Sequence, residues 1–272
     1  MVVVFQGLLL ENKPLGGISS LILSRIYRFL ATEYTAYIVT RKPNLPDGYT
    51  LQDMSDDYAE MIEKELGGIV DIIGTSTGGS IAQHFAVDHS DLLRHLVLHS
   101  SAYILNECAR ASQRRMGLLA RQHDWVAVAR ESVQFVVPAD RWYTGIGVRI
   151  GSLAVSLTAP KDPSDLIATV EAEDKHNFHD RLGEIHVPTL VVAGLEDPFY
   201  SEELFRETAK GIPDAQLILY PGMGHPASGK QFARDVLAFL ATDVSTPVEP
   251  QQALHGPQQV EGDPSLSTKP DN

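Results

Sequence analysis

A chain of 272 residues, 43% of them apolar, is long enough for one large domain with a sizeable buried core. Lys and Arg total 22 against 35 Asp and Glu, a formal net charge of -13, and so acidic a surface excludes a phosphate backbone as partner. A single cysteine, Cys108, excludes an intrachain disulfide and suits a reducing compartment.

The opening MVVVFQGLLLENK lacks a basic leader and is too short to span a bilayer, so it reads as a buried strand. The protein is therefore expected to be cytoplasmic, with no membrane span. Residues 2–5 form an unbroken β-branched and aromatic run, the pattern of a strand buried on both faces. A Gly-containing loop leads to a helical pattern over 18–30, and 34–40 read as a second strand. Pro43, Pro46 and Gly48 break the chain there. An amphipathic helix is predicted over 51–66, with early acidic residues that suit the helix dipole. Residues 69–73 form a third strand, 80–87 a helix and 92–99 a fourth strand. Such alternation predicts a mostly parallel sheet with helices on both faces.

Between 103 and 181 the patterns are helical, and both tryptophans, Trp125 and Trp142, lie there. Strands at 189–193 and 216–220, with helices at 202–210 and 231–240, then restore the rhythm. The expected organisation is an α/β core over 1–102 and 186–242, a helical cap over 103–185, and a tail over 243–272. That tail holds five prolines (Pro247, Pro250, Pro257, Pro264 and Pro270) and no aromatic residue. It is expected to be disordered, because it has too little apolar surface to offset the entropy of ordering.

The strand GIVDIIG runs straight into TSTGGSIAQHFA. A nucleophilic serine must be raised above the sheet on a sharp strand-to-helix turn, which crowds the backbone two residues to either side. Gly74 and Gly78 remove the clashing Cβ atoms, so Ser76 is the candidate nucleophile. The bland alternative is a Gly-rich turn that binds nothing, or a phosphate loop; no Lys follows at the spacing a phosphate loop needs.

Serine needs a base, and the base needs an orienting carboxylate. In VPTLVVAGLEDPFY, Asp197 follows a strand by four residues; in LILYPGMGHPAS, His225 lies in a Gly-rich loop after the next strand. Asp197 alone would pass for a turn former before Pro198, with Glu196 as a rival acid, and His225 alone for a surface histidine. Among ten histidines, only His225 combines a post-strand loop with the chain order Ser, Asp, His. His84 falls on the helix after the turn. His99, at a strand end near the site, reads as core packing. His176 and His179 resemble a metal pair only by spacing, so no metal is expected.

GTSTGG around Ser76, GLEDP around Asp197 and GMGHP around His225 together resemble the α/β-hydrolase superfamily over roughly residues 2–240. The run RLGEIHVPTLVVAGLED is similar to the segment that re-enters the core after the cap in these enzymes. The stretch TRKPNLPDGYTLQDMSDDYAE looks like a group of bacterial hydrolases of undefined substrate. The resemblance implies a doubly wound sheet with a helical cap, and an oxyanion hole of backbone N–H groups at Leu8 and Thr77. Family members usually carry His-Gly where this chain has Gln6-Gly7, a change that alters pocket shape but spares a backbone donor. They also usually begin with an extra β-hairpin that is not evident here, which leaves 34–40 as a sheet edge. Dehalogenases and epoxide hydrolases of this fold need aspartate at the turn, so Ser76 argues against both. The HGGG lipase motif is absent.

The expected activity is hydrolysis of a carboxylic ester of a small or medium apolar substrate through an acyl-enzyme, with no cofactor. Trp125, Phe135, Trp142 and Tyr143 would line or cover an apolar pocket, although core packing of a cap explains the same aromatics. Gly145, Gly147 and Gly151 would permit the cap to bend, although close packing of helices explains the same glycines. Ser76, Asp197 and His225 would serve C–C or amide hydrolysis and cofactor-free perhydrolysis equally well. A non-catalytic binding protein on a hydrolase scaffold is the reading from another class. The partner is a small molecule, and the protein a monomer or homodimer.

Overall fold

Ile73 lies in the middle of a row of side-by-side residues, Ile38, Val4, Ile73, Val97 and Leu190, that crosses five parallel strands. These strands and a sixth form one sheet in the computed structural model, which describes residues 1–14, 16, 24–136 and 159–242, without the side chains of 133–136. They are β1 (Val2–Phe5), β2 (Ala36–Val39), β3 (Val70–Thr75), β4 (Leu93–His99), β5 (Thr189–Gly194) and β6 (Gln216–Tyr220), in the order β2-β1-β3-β4-β5-β6.

Alternation along each strand feeds two cores, because successive side chains point to opposite faces. Val4, Ile73, Val97 and Leu190 face Tyr27, Leu30 and the residues Phe232, Val236 and Phe239 of the last helix. Val3, Phe5, Ile72, Leu96, Leu98 and Val191 face the other way, onto helices α1 (Leu51–Met61) and α2 (Thr77–Asp88) and onto Phe205 of α6 (Glu202–Gly211). With both faces covered, the central strands are mostly apolar, and the buried Asp71 of β3 is paired with Arg94 and His95 of β4. Helix α7 (Lys230–Leu240) closes the described fold.

Among the described residues, three α-helices lie between β4 and β5: α3 (Glu107–Arg121), α4 (Trp125–Val136) and α5 (Ser164–Asp174). They share a small core of Met116, Ala120, Trp125, Val128, Leu166, Ile167 and Val170, against which Leu8 and Leu10 pack. Trp125 thus serves the cap's own core. Trp142, Tyr143, Gly145, Gly147, Gly151, the segment 17–23 and the tail 243–272 lie outside the described residues, as does the side chain of Phe135. No described helix is long and apolar enough to cross a membrane.

Local differences from the sequence reading have local causes. The helix expected over 51–66 is α-helical only to Met61; Ile62–Leu66 wind as a wider π turn, closed by Gly67 at φ 65° with its N–H on the Ile62 carbonyl. The described part of the helix expected over 18–30 tightens into a 3-10 turn at Arg28–Thr32. Helix α2 begins at Thr77, three residues before its apolar pattern does.

The chain steps from β1 out to β2, then jumps back across β1 to β3 and continues through β4 to β6. Strand order therefore reverses between β1 and β3. In open α/β sheets ligands bind outside the carboxyl ends of the strands at that reversal, and here Gln6-Gly7 and Ser76 follow those two ends.

Candidate active site

Ser76 stands between β3 and α2 at φ 52° and ψ -125°, a conformation that costs a non-glycine residue about 1–3 kcal/mol. Its neighbours hold it there. Ser76 N donates to the His99 carbonyl at 3.1 Å, and the Ser76 carbonyl accepts from Gly79 N at 2.7 Å and Ser80 N at 3.3 Å. The glycines are required by contact: a Cβ on Gly78 would sit 2.1 Å from the Phe5 carbonyl oxygen, and one on Gly74 would sit 2.6 Å from the Gly79 Cα. Between Val70 and Gln83 only Ser76 escapes full burial. The turn therefore presents one hydroxyl to the outside and hides everything around it.

Asp197 sits just past β5. Its Oδ1 accepts from Phe199 N (2.9 Å) and Tyr200 N (3.3 Å), and its Oδ2 lies 2.7 Å from His225 Nδ1. A carboxylate on Nδ1 assigns the proton to that nitrogen and leaves Nε2 with a lone pair, the form a general base needs. The rival acid, Glu196, is exposed, and its N–H donates to the Met223 carbonyl at 2.9 Å. That bond joins the Asp197 loop to the His225 loop. Gly194 permits it, because a Cβ there would fall 2.0 Å from the Met223 oxygen.

His99 ties the His225 loop to Ser76. Its Nε2 donates to the Ala227 carbonyl at 2.6 Å, two residues beyond His225, and its Nδ1 accepts from the Tyr27 hydroxyl at 2.9 Å. Ala227 N donates to Ser100 Oγ at 3.1 Å. One residue therefore contacts Ser76 through its backbone and the His225 loop through its ring. Burial pushes the His99 pKa down to about 3, so the ring stays neutral. Ser76 and His225 are not directly hydrogen-bonded in the structure, and catalytic contacts of this kind commonly tighten only around substrate.

On the β1 side, Gly7 packs against the serine: a Cβ there would lie 3.2 Å from Ser76 Cβ. Gln6 is buried, with Nε2 unpartnered, and Leu8 is half-buried against the cap core. Thr77 opens α2, so its N–H has no partner within the helix.

Three residues that the sequence reading did not single out complete the surroundings. Arg41, 2% exposed just past β2, donates from Nη1 to the Gln6 carbonyl at 2.9 Å and from Nη2 to the Gly7 carbonyl at 3.0 Å. Glu173 of α5 is buried and accepts from Ser80 Oγ at 3.0 Å. Burial pushes its carboxyl pKa up, while Thr77, Ser80, Arg41 and His225 pull it back. Tyr200 is buried with its hydroxyl beside Glu173, Ser101 and Ser76, and burial raises its pKa well above the phenol range. Neither of the first two carried a signal of its own: Arg41 stands beside Lys42 just past a half-buried edge strand, and Glu173 is one of three acids in the run EAED.

His176 and His179 do not form a pair: the first is buried beside His84, with ring centroids 5.6 Å apart, and the second is exposed on Asp180. No group of three or more metal-ligating side chains occurs among the described residues.

Residues 17–237 match the model of the alpha/beta hydrolase family. The chain belongs to that family. Within it the chain is similar to a Pseudomonas syringae protein named "Putative carbamate hydrolase RutD", at 26% identity over 81% of this chain and 86% of the relative. It is also similar to 2-hydroxy-6-oxo-6-(2'-aminophenyl)hexa-2,4-dienoic acid hydrolase of Metapseudomonas resinovorans, at 28% identity over 81% and 76%. Among solved structures, the enol-lactonase of Burkholderia xenovorans LB400 shares the fold with a TM-score of 0.71 and 18% identity, over 89% of this chain and 91% of the other. This alpha/beta hydrolase therefore has the parallel, helix-flanked sheet of its family and a hydrolytic activity, with the bond it cleaves left to its own side chains.

Proposed function

We propose that the protein is a serine hydrolase that cleaves a small carboxylic ester through an acyl-enzyme on Ser76. The observation that carries this reading is the half-buried Ser76 hydroxyl on a strained turn, beside a His225–Asp197 pair joined at 2.7 Å. His225 Nε2 takes the Ser76 proton as Oγ attacks the carbonyl carbon, and the electron pair moves to the carbonyl oxygen. The N–H groups of Leu8 and Thr77 stabilise that oxyanion. His225 then returns the proton to the departing alcohol. A water molecule, deprotonated by the same ring, releases the acid and restores Ser76. Asp197 holds the imidazole tautomer throughout.

A carbamate is the second reading, favoured by the relatives named as carbamate hydrolases. It uses the same steps with a carbamoyl group on Ser76. A fluorophosphonate probe should add its mass to the peptide carrying Ser76 and to no other, and Ser76→Ala should lower ester turnover by about 10⁴-fold or more while folding is retained. Unlabelled Ser76, or more than a tenth of wild-type turnover in the alanine variant, would refute the mechanism. Rates on matched p-nitrophenyl esters and carbamates decide between the two substrates.

A further inference from the structure

We propose that Arg41 is a positioning residue for the oxyanion hole: its guanidinium sets the direction and the polarity of the Leu8 N–H. The inference rests on the acyl-enzyme reading above and adds a part to it that neither motif nor family relationship supplies.

The two nitrogens of the fork engage two consecutive carbonyls, those of Gln6 and Gly7, at 2.9 and 3.0 Å. A planar guanidinium is suited to two parallel donations of this kind; a lysine ammonium is a single point. In a trans peptide the C=O and the following N–H point in opposite directions. Fixing the Gly7 carbonyl toward Arg41 therefore turns the Leu8 N–H away from Arg41. Gly7 itself presses on Ser76, with the position of its missing Cβ 3.2 Å from Ser76 Cβ and 3.9 Å from Ser76 Oγ. A peptide so placed and so rotated offers its donor to the side of the nucleophile. A positive charge on the carbonyl oxygen also draws electron density across the amide and makes the N–H a stronger donor.

The surroundings explain why a charge is tolerated there. Arg41 is buried, and burial lowers its pKa, while Tyr58, Glu173 and Asp165 oppose that shift. Glu173 and Asp165 both belong to α5. Asp165 is itself anchored by the N–H groups of Asn12 and Leu45, each at 3.0 Å. Glu173 accepts from Ser80 in the first turn of α2, the helix whose N-terminus offers the other oxyanion donor. Arg41 thus holds one half of the hole, and its counter-charge is fixed to the other half.

A purely structural arginine would satisfy the same two carbonyls, so the test must separate stability from transition-state stabilisation. The rate constant for phosphonylation of Ser76 by a fluorophosphonate, and kcat and KM on one p-nitrophenyl ester, would be measured for wild type, Arg41→Lys and Arg41→Ala, each with its thermal midpoint. Loss of an oxyanion donor commonly lowers turnover by about 10²- to 10³-fold. The expected result is a fall of that order in kcat and in the phosphonylation rate for both variants, with KM little changed and with partial recovery of Arg41→Ala in millimolar guanidinium. Rates for Arg41→Lys within a few-fold of wild type would overturn the proposal. So would losses that follow the fall in thermal midpoint and do not respond to guanidinium. Failure of the acyl-enzyme reading looks different, because then wild type itself is not labelled at Ser76.

Discussion

Asp197 has both carboxylate oxygens engaged, one by the Phe199 and Tyr200 amides and the other by His225. Asparagine would keep its shape but would offer His225 an N–H or a neutral oxygen, and the imidazole would lose its fixed tautomer. Asp197→Asn is expected to lower kcat by about 10⁴-fold, whereas the exposed Glu196→Gln should stay within a few-fold of wild type. Steady-state kinetics on both variants checks the ranking, and the reverse order would move the acid to Glu196. The three residues were legible because each sits at a strand end in a glycine-rich setting that a backbone turn requires. Arg41 and Glu173 were not, because a lone arginine or glutamate reads as solvated surface unless the fold buries it. Only the tertiary structure brings positions 41 and 173 to the two sides of one site.

At the scale of elements, the six strands fall within two residues of where hydrophobic runs place them, because short, mostly apolar runs bounded by polar loops mark sheet strands. The start of α2 was less legible. Its first turn, Thr77-Gly78-Gly79, has no apolar period, because its close contacts exclude large side chains and even a Cβ on the glycines. Two other glycines make a contrasting pair. Gly117, inside α3, has 3.6 Å of room to the Val170 side chain, an ordinary contact. Gly117→Ala should therefore stabilise the protein by about 0.5–1 kcal/mol, the usual gain in a helix interior. Gly194→Ala should destabilise it and lower activity, because the new Cβ would push the Met223 carbonyl and with it the loop of His225. Urea midpoints with equal m-values would establish the first effect. A Gly194→Ala variant as active as wild type would refute the second.

Across the whole molecule, the buried His99 and His176 link folding to pH. Burial holds His99 and His176 at about 3, against about 6.5 for a free side chain. In the window between those values the unfolded chain binds protons that the native state refuses. Each ring therefore contributes stability that is fully present above about pH 6.5 and is lost as pH falls toward about 3, by up to about 1.4 kcal/mol per pH unit. His176 packs on Phe178 and His84 without a hydrogen bond on Nε2, so His176→Phe should flatten the acid limb of a stability–pH curve. An unchanged slope between pH 6.5 and 4.5 would show that other groups govern it. The helices between β4 and β5 carry a further consequence. Helix α5 supplies Asp165 to the amides of Asn12 and Leu45, and Glu173 to Ser80 beside Arg41. A graft that exchanged α5 for a foreign helix would leave a buried arginine without the two acidic side chains that offset the cost of its burial. A chimaera of this enzyme must keep those two acids at their places to inherit a working core along with its new lid.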